Sequence, residues 1–142
     1  MELFAALLRS NMGDQLAPEA ISFVDMLAED AVMEFPFAPP GLPQCLDGKA
    51  AIQKHVESLG GLIQIDSFSS TAVHQTPSGF VLEFTCRGIG TKTGRAYNQD
   101  YISVITLRGS RIVRYRDYWN PLTVIDALKP VEVTGKEPPG HA

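Results

Sequence analysis

Apolar and polar positions alternate through the second half of the chain. Phe80, Leu82, Phe84 and Cys86 are interleaved with Val81, Glu83 and Thr85, the period-two signature of a strand with one buried face. The pattern predicts strands over residues 62–75, 80–89, 96–107 and 111–119. They are separated by turn-forming runs at Thr76-Pro77-Ser78-Gly79, Gly90-Thr91-Lys92-Thr93-Gly94 and Arg108-Gly109-Ser110. The first half reads differently. Ile52, His55, Val56 and Leu59 recur at i, i+3, i+4 and i+7 after Gly48, and Gly60-Gly61 follows them, which predicts a helix. Pro18 suits a helix start, and Ile21, Phe23, Val24, Met26 and Leu27 predict a helix ending near Asp30. Residues 31–35 read as a short strand. Pro36, Pro39, Pro40, Gly41 and Pro43 make residues 36–47 a stiff loop. Asn120-Pro121 opens a last short helix through Leu128.

Helices followed by a meander of long antiparallel strands predict an α+β domain with the helices on one face of the sheet. Such a sheet curves into a cone with an open mouth. The expected organisation is an arm or short helix at 1–14, the domain at 15–128 and a mobile tail at 129–142. The opposite sheet face carries Ile102 and Val104. It is too apolar to leave bare, which predicts a homodimer through the sheet.

Composition narrows the function. The chain has 142 residues, 44% hydrophobic and 20% charged, with a net charge of -4. This is a globular profile, and no basic run is present, so neither nucleic acid nor an anionic membrane is an expected partner. No apolar run reaches 18 residues, and the start has no basic region before its short apolar stretch. The two cysteines, Cys45 and Cys86, have no metal-ligand spacing and read as reduced thiols in a cytoplasmic protein. No Gly-rich phosphate loop, nucleophile elbow or HExxH run occurs, so no cofactor and no metal are expected.

Strand parity singles out the candidate chemistry. In the last strand Tyr115, Asp117 and Trp119 share one face, and Arg114, Arg116 and Tyr118 share the other. If the aromatic face looks into the cone, Asp117 stands among apolar walls, where desolvation raises a carboxyl pKa into the range useful for proton transfer. Asp100 and Glu34 fall out of phase with the inward positions.

The run Arg114-Tyr115-Arg116-Asp117-Tyr118-Trp119-Asn120-Pro121 resembles the last strand of the SnoaL-like and ketosteroid-isomerase-like proteins of the nuclear transport factor 2-like superfamily. Leu27-Ala28-Glu29-Asp30-Ala31-Val32-Met33-Glu34-Phe35 and Leu46-Asp47-Gly48-Lys49-Ala50-Ala51-Ile52 resemble two further family segments. The resemblance implies a pocket with Asp117 as its acid, which also matches the acidic residue of phenazine-biosynthesis A/B proteins. Limonene epoxide hydrolase is similar at Asp117. Its other polar groups, however, fall on Met33, Phe35, Phe84 and Cys86, which argues against water activation here. Asp117, His55 and Tyr101 are therefore the candidate catalytic residues. Trp119, Tyr115, Gln99, Met33, Phe35, Phe84, Cys86 and Leu59 are the candidate substrate-binding residues. The expected function is a cofactor-free isomerase, cyclase or dehydratase acting on a small hydrophobic carbonyl compound. The alternatives are a non-catalytic binder of small molecules, an epoxide hydrolase or a protein-interaction module.

Overall fold

The computed structural model describes residues 2–129. Three helices, α1 (Glu2–Met12), α2 (Lys49–Gly60) and α3 (Pro121–Leu128), pack against one curved six-stranded sheet. Its strands are β1 (Leu27–Glu34), β2 (Cys45–Asp47), β3 (Ile63–Thr76), β4 (Gly79–Gly90), β5 (Ala96–Arg108) and β6 (Arg111–Trp119), in the spatial order β2-β1-β6-β5-β4-β3. This is the α+β architecture expected from the sequence, with an open rather than closed sheet.

The four long strands occur where alternation predicts them. β4 is the clearest case: Phe80, Leu82, Phe84 and Cys86 are all buried, and the residues between them are half-buried. The curvature has local causes. The β3–β4 register slips between Ile65 and Ser67 and again between Ser70 and Ala72, and such bulges bend a strand and increase its twist. Opposite the first bulge lies Gly88, where a Cβ would collide with the Gln64 carbonyl oxygen. Gly48 is needed for another reason. Its φ of 93° lies in the left-handed region, and its N–H donates to the Ala31 carbonyl at 2.8 Å, turning the chain from β2 into α2.

Three sequence expectations need correction. The segment from Pro18 to Asp30 is not a helix. It is a loop with a 3-10 turn at Val24–Met26, after which β1 begins at Leu27. The local helix signal is real: Asp25 accepts from the Ser22 N–H, and Ser22 Oγ accepts from the Asp25 N–H. Tertiary bonds override it. Residues 27–34 pair with β6, the Ala17 N–H donates to the Ser110 carbonyl, and the Arg9 guanidinium bonds the carbonyls of Gly13, Leu16, Ala17 and Ala20. Second, the sheet is mixed, because β1 runs parallel to β6. Third, the proline loop contains the short strand β2, paired with β1 through Met33–Leu46.

The N-terminal segment is no loose arm. α1 buries Phe4, Leu7, Leu8 and Met12 in the core. The Phe4 ring lies 5.1 Å from Phe23, 5.5 Å from Phe68 and 5.7 Å from Phe84. The tail expected at 129–142 falls, after Lys129, outside the described residues. On the outer face Ile102 is 46% exposed, while Glu34 accepts from Arg114 at 2.9 Å and from Arg116 at 3.4 Å. Among the described residues no helix is long and apolar enough to cross a membrane.

Candidate active site

The concave face of the sheet and the three helices enclose a cavity of about 710 Å3, a size typical of small-molecule sites. Its floor is the aromatic cluster around Phe4, Phe23 and Tyr115. Its walls come from Met33 and Phe35 of β1, Phe84 of β4, Tyr97 and Tyr101 of β5, and Trp119 of β6. Leu42, Leu59 and Leu3, each more than a third exposed, stand at its rim.

Asp117 is the acid of this cavity. It is 8% exposed, and its one hydrogen bond among the described residues is accepted by Oδ1 from Ser103 Oγ at 3.2 Å. Burial pushes its carboxyl from an ordinary 3.8 up to about 8, and the Ser103 hydroxyl opposes the rise. Ser103 in turn shares a 2.7 Å hydrogen bond with the Tyr115 hydroxyl. The pairing of Ser103 with Asp117 across β5 and β6 places the two side chains opposite each other on the inner face. Ser103 itself escaped the sequence reading. A serine within a strand carries no signal of its own, but the cross-strand register with Asp117 would have pointed to it.

Two phenols of β5 add to the polar groups of the cavity. The hydroxyls of Tyr97 and Tyr101 lie 2.6 Å apart. Each has one hydrogen, so if one phenol donates to the other, one O–H remains for a ligand. Burial pushes Tyr97 up to about 12 and Tyr101 well above its ordinary value, so both are neutral donors near neutral pH. Tyr101 is stacked on Phe84 at 4.7 Å and 10°, which fixes its ring. Tyr101 pairs with Trp119 and Ser103 with Asp117. The phenol and the carboxyl therefore spring from diagonal positions, with backbones about 7–8 Å apart.

His55 lies in the cavity wall, its ring 5.3 Å from Phe35. Burial lowers its pKa, and it makes no hydrogen bond to Asp117. The structure thus gathers Asp117, Tyr101, His55, Trp119, Tyr115, Met33, Phe35, Phe84 and Leu59 around one space. Two expected members lie elsewhere. The Gln99 amide is spent on the chain at Asn120, donating to its carbonyl at 3.0 Å and accepting from its N–H at 2.9 Å. It anchors the entry to α3 instead of facing a ligand. Cys86 is buried in the cluster under α3 with Val124 and Ala127, its thiol pushed up to about 11 by burial. Both side chains share the inward parity, but α3 covers that end of the sheet. Among the described residues no three His, Cys, Asp or Glu side chains cluster as a metal site would require.

Comparison with known proteins agrees with this architecture. The chain is 43% identical over 123 residues to the uncharacterised protein YesE of Bacillus subtilis, covering 85% of this chain and 84% of that protein. It is 34% identical over 120 residues to an uncharacterised PhzA/B-like protein, PA3332, of Pseudomonas aeruginosa, covering 83% and 84%. The crystal structure of a proposed isomerase from Bacillus subtilis superposes with a TM-score of 0.73 at 42% identity, covering 89% of this chain and 95% of that one. Residues 14–115, from the end of α1 to the strand that carries Asp117, match the SnoaL-like domain, and the chain belongs to that family.

Proposed function

We propose that this protein is a cofactor-free acid/base enzyme of isomerase, cyclase or dehydratase type, acting on a small hydrophobic carbonyl compound. One observation carries the reading: a buried carboxyl with no cationic partner among the described residues stands inside an aromatic cavity large enough for a ligand. An acid whose pKa lies near 8 can take and return a proton at neutral pH at little cost, which an ordinary surface aspartate cannot. In this scheme the substrate packs its apolar body against Trp119, Phe35 and Phe84. The free O–H of the Tyr97–Tyr101 pair donates to the carbonyl oxygen. The Asp117 carboxylate removes the proton on the adjacent carbon, electron density moves onto the oxygen facing the phenol, and the carboxylic acid then returns its proton elsewhere on the molecule. The aromatic shell keeps water from competing for that proton.

The test is hydrogen exchange at the α-carbon of a panel of hydrophobic cyclic ketones in deuterated water, followed by NMR. Wild type is expected to exchange label, and Asp117→Asn is expected not to. Persistent exchange in the variant refutes the scheme. A second reading, a non-catalytic binder, is favoured by the absence of any hydrogen bond between His55 and Asp117. It predicts quenching of Trp119, the single tryptophan of the chain, by ligands that never exchange. The exposed Ile102 and the mixed charges of Glu34, Arg114 and Arg116 also support a homodimer through the outer sheet face. Sedimentation velocity is expected to return twice the chain mass, and a monomer at micromolar concentration refutes that part.

A further inference from the structure

We propose that Tyr115 and Ser103 form a directional relay that selects one Asp117 oxygen, Oδ2, as the atom exchanging protons with the ligand. This inference rests on the acid/base reading for its consequence, but not for its evidence.

Counting hydrogens fixes the direction of the chain. Tyr115 and Ser103 are 1% and 0% exposed. The Tyr115 hydroxyl has one hydrogen and, among the described residues, one partner, Ser103 Oγ at 2.7 Å. If it donated anywhere else, its hydrogen would be buried without an acceptor, at a cost of about 1–3 kcal/mol. Tyr115 therefore donates to Ser103. The single Ser103 hydrogen then has one acceptor left, Asp117 Oδ1 at 3.2 Å. Reversing the chain, with a proton on Oδ1 donated to Ser103 and the Ser103 hydrogen donated to Tyr115, orphans the phenolic hydrogen. Oδ1 is thus an acceptor whether or not the carboxyl is charged. The proton that comes and goes sits on Oδ2, which has no partner among the described residues and does not count among their sealed, unpartnered atoms.

The surroundings leave this relay in control. Tyr97 and Tyr101 of β5 face the carboxyl and are neutral, and their hydroxyls pair with each other. α2 contributes His55, which burial holds toward its neutral form. Glu2 of α1 and Glu57 of α2 stand in the cavity lining. From β4, β1 and β3 the cavity receives Phe84, Met33, Ile65 and Phe68. Cys86 lies under α3 with its thiol protonated. Ser103 and Tyr115 act here through Asp117, as positioning residues that hold and bias the acid.

The test follows the Asp117 side-chain carboxyl directly, by carbon-13 NMR titration of labelled protein, so turnover is not needed to read it. Ser103→Ala removes the donor that favours the carboxylate and is expected to raise the proton affinity of Asp117 by roughly ten-fold. Tyr115→Phe keeps the ring and the packing but frees the serine to rotate. It is expected to raise the affinity by a smaller factor, about two- to five-fold. Ser103→Thr restores the hydroxyl and is expected to titrate close to wild type. An unchanged midpoint in Ser103→Ala overturns the relay, as does a Tyr115→Phe effect equal to or larger than the Ser103→Ala effect. If Ser103→Ala does not fold, Tyr115→Phe decides alone, and an unchanged midpoint there overturns the proposal. A shifted titration without any ketone exchange in wild type retains the relay and refutes the enzymatic reading.

Discussion

Glu34 and Asp117 sit on neighbouring strands of one sheet and live in opposite electrostatic worlds. Glu34 points outward from β1 to Arg114 and Arg116 of β6, and the Arg114 hydrogen bond holds its carboxyl below the usual range. Asp117 follows Arg116 directly but points inward, finds only a serine hydroxyl among the described residues, and is pushed up to about 8. Reversing direction at each residue along the strand, a consequence of the pleat, turns adjacent positions of β6 into a surface cation and a buried acid. A charged neighbour in sequence is therefore no partner when the sheet stands between the two groups.

The largest effect should come from removing the inner acid. Asp117→Asn is expected to lower ketone exchange by roughly 10³-fold, the usual weight of a general base, measured by the NMR assay above. The same variant tests the energetics. A carboxyl whose folded pKa lies near 8 against 3.8 in the unfolded chain binds more protons when folded, so wild-type stability falls as pH rises between about 4 and 8. At about 1.4 kcal/mol per pKa unit the loss amounts to several kcal/mol, and chemical denaturation of Asp117→Asn should lack that slope. Equal slopes in both proteins would break the contrast.

Next comes an attempt to make the inside resemble the outside. Phe84→Arg places a cation on the inner face, in the cavity that Asp117 also lines. It is expected to bring the carboxyl midpoint down by roughly 100-fold in proton affinity and to remove the rise of exchange rate toward pH 8 that wild type should show. Tyr101→Phe deletes one phenol of the donor pair. A loss of about 10- to 100-fold in exchange, with the Asp117 titration nearly unmoved, is the expected outcome. The smallest effect belongs to the outer acid. Glu34→Gln breaks partly exposed ion pairs and should change stability by no more than about 1 kcal/mol, leaving the pH profile of exchange intact.

The residues that were legible from sequence share a physical trait: their role depends on local period or local backbone need. The β4 alternation, the Gly48 turn and the Asn120 cap, whose side chain accepts from the Leu122 N–H at 2.9 Å, are short-range features. So is the parity that groups Tyr115, Asp117 and Trp119. Where the reading went astray, a distant segment supplied the deciding bond. Residues 18–30 carry a helix-start signal, yet β6 and Arg9 claim their backbone. Gln99 and Cys86 have inward parity, yet α3 lies over them.

The sequence by itself determined the α+β class, the long strands, their faces and the inward parity of Asp117, because hydrophobic period and strand parity are encoded over a few residues. Only the tertiary structure decided the parallel β1–β6 pair, the place of α1 in the core, the Tyr97–Tyr101 contact and the Tyr115–Ser103–Asp117 chain. Those depend on which strands become neighbours and in what register, and on how much water the enclosing helices leave around a carboxyl, none of which a one-dimensional pattern contains.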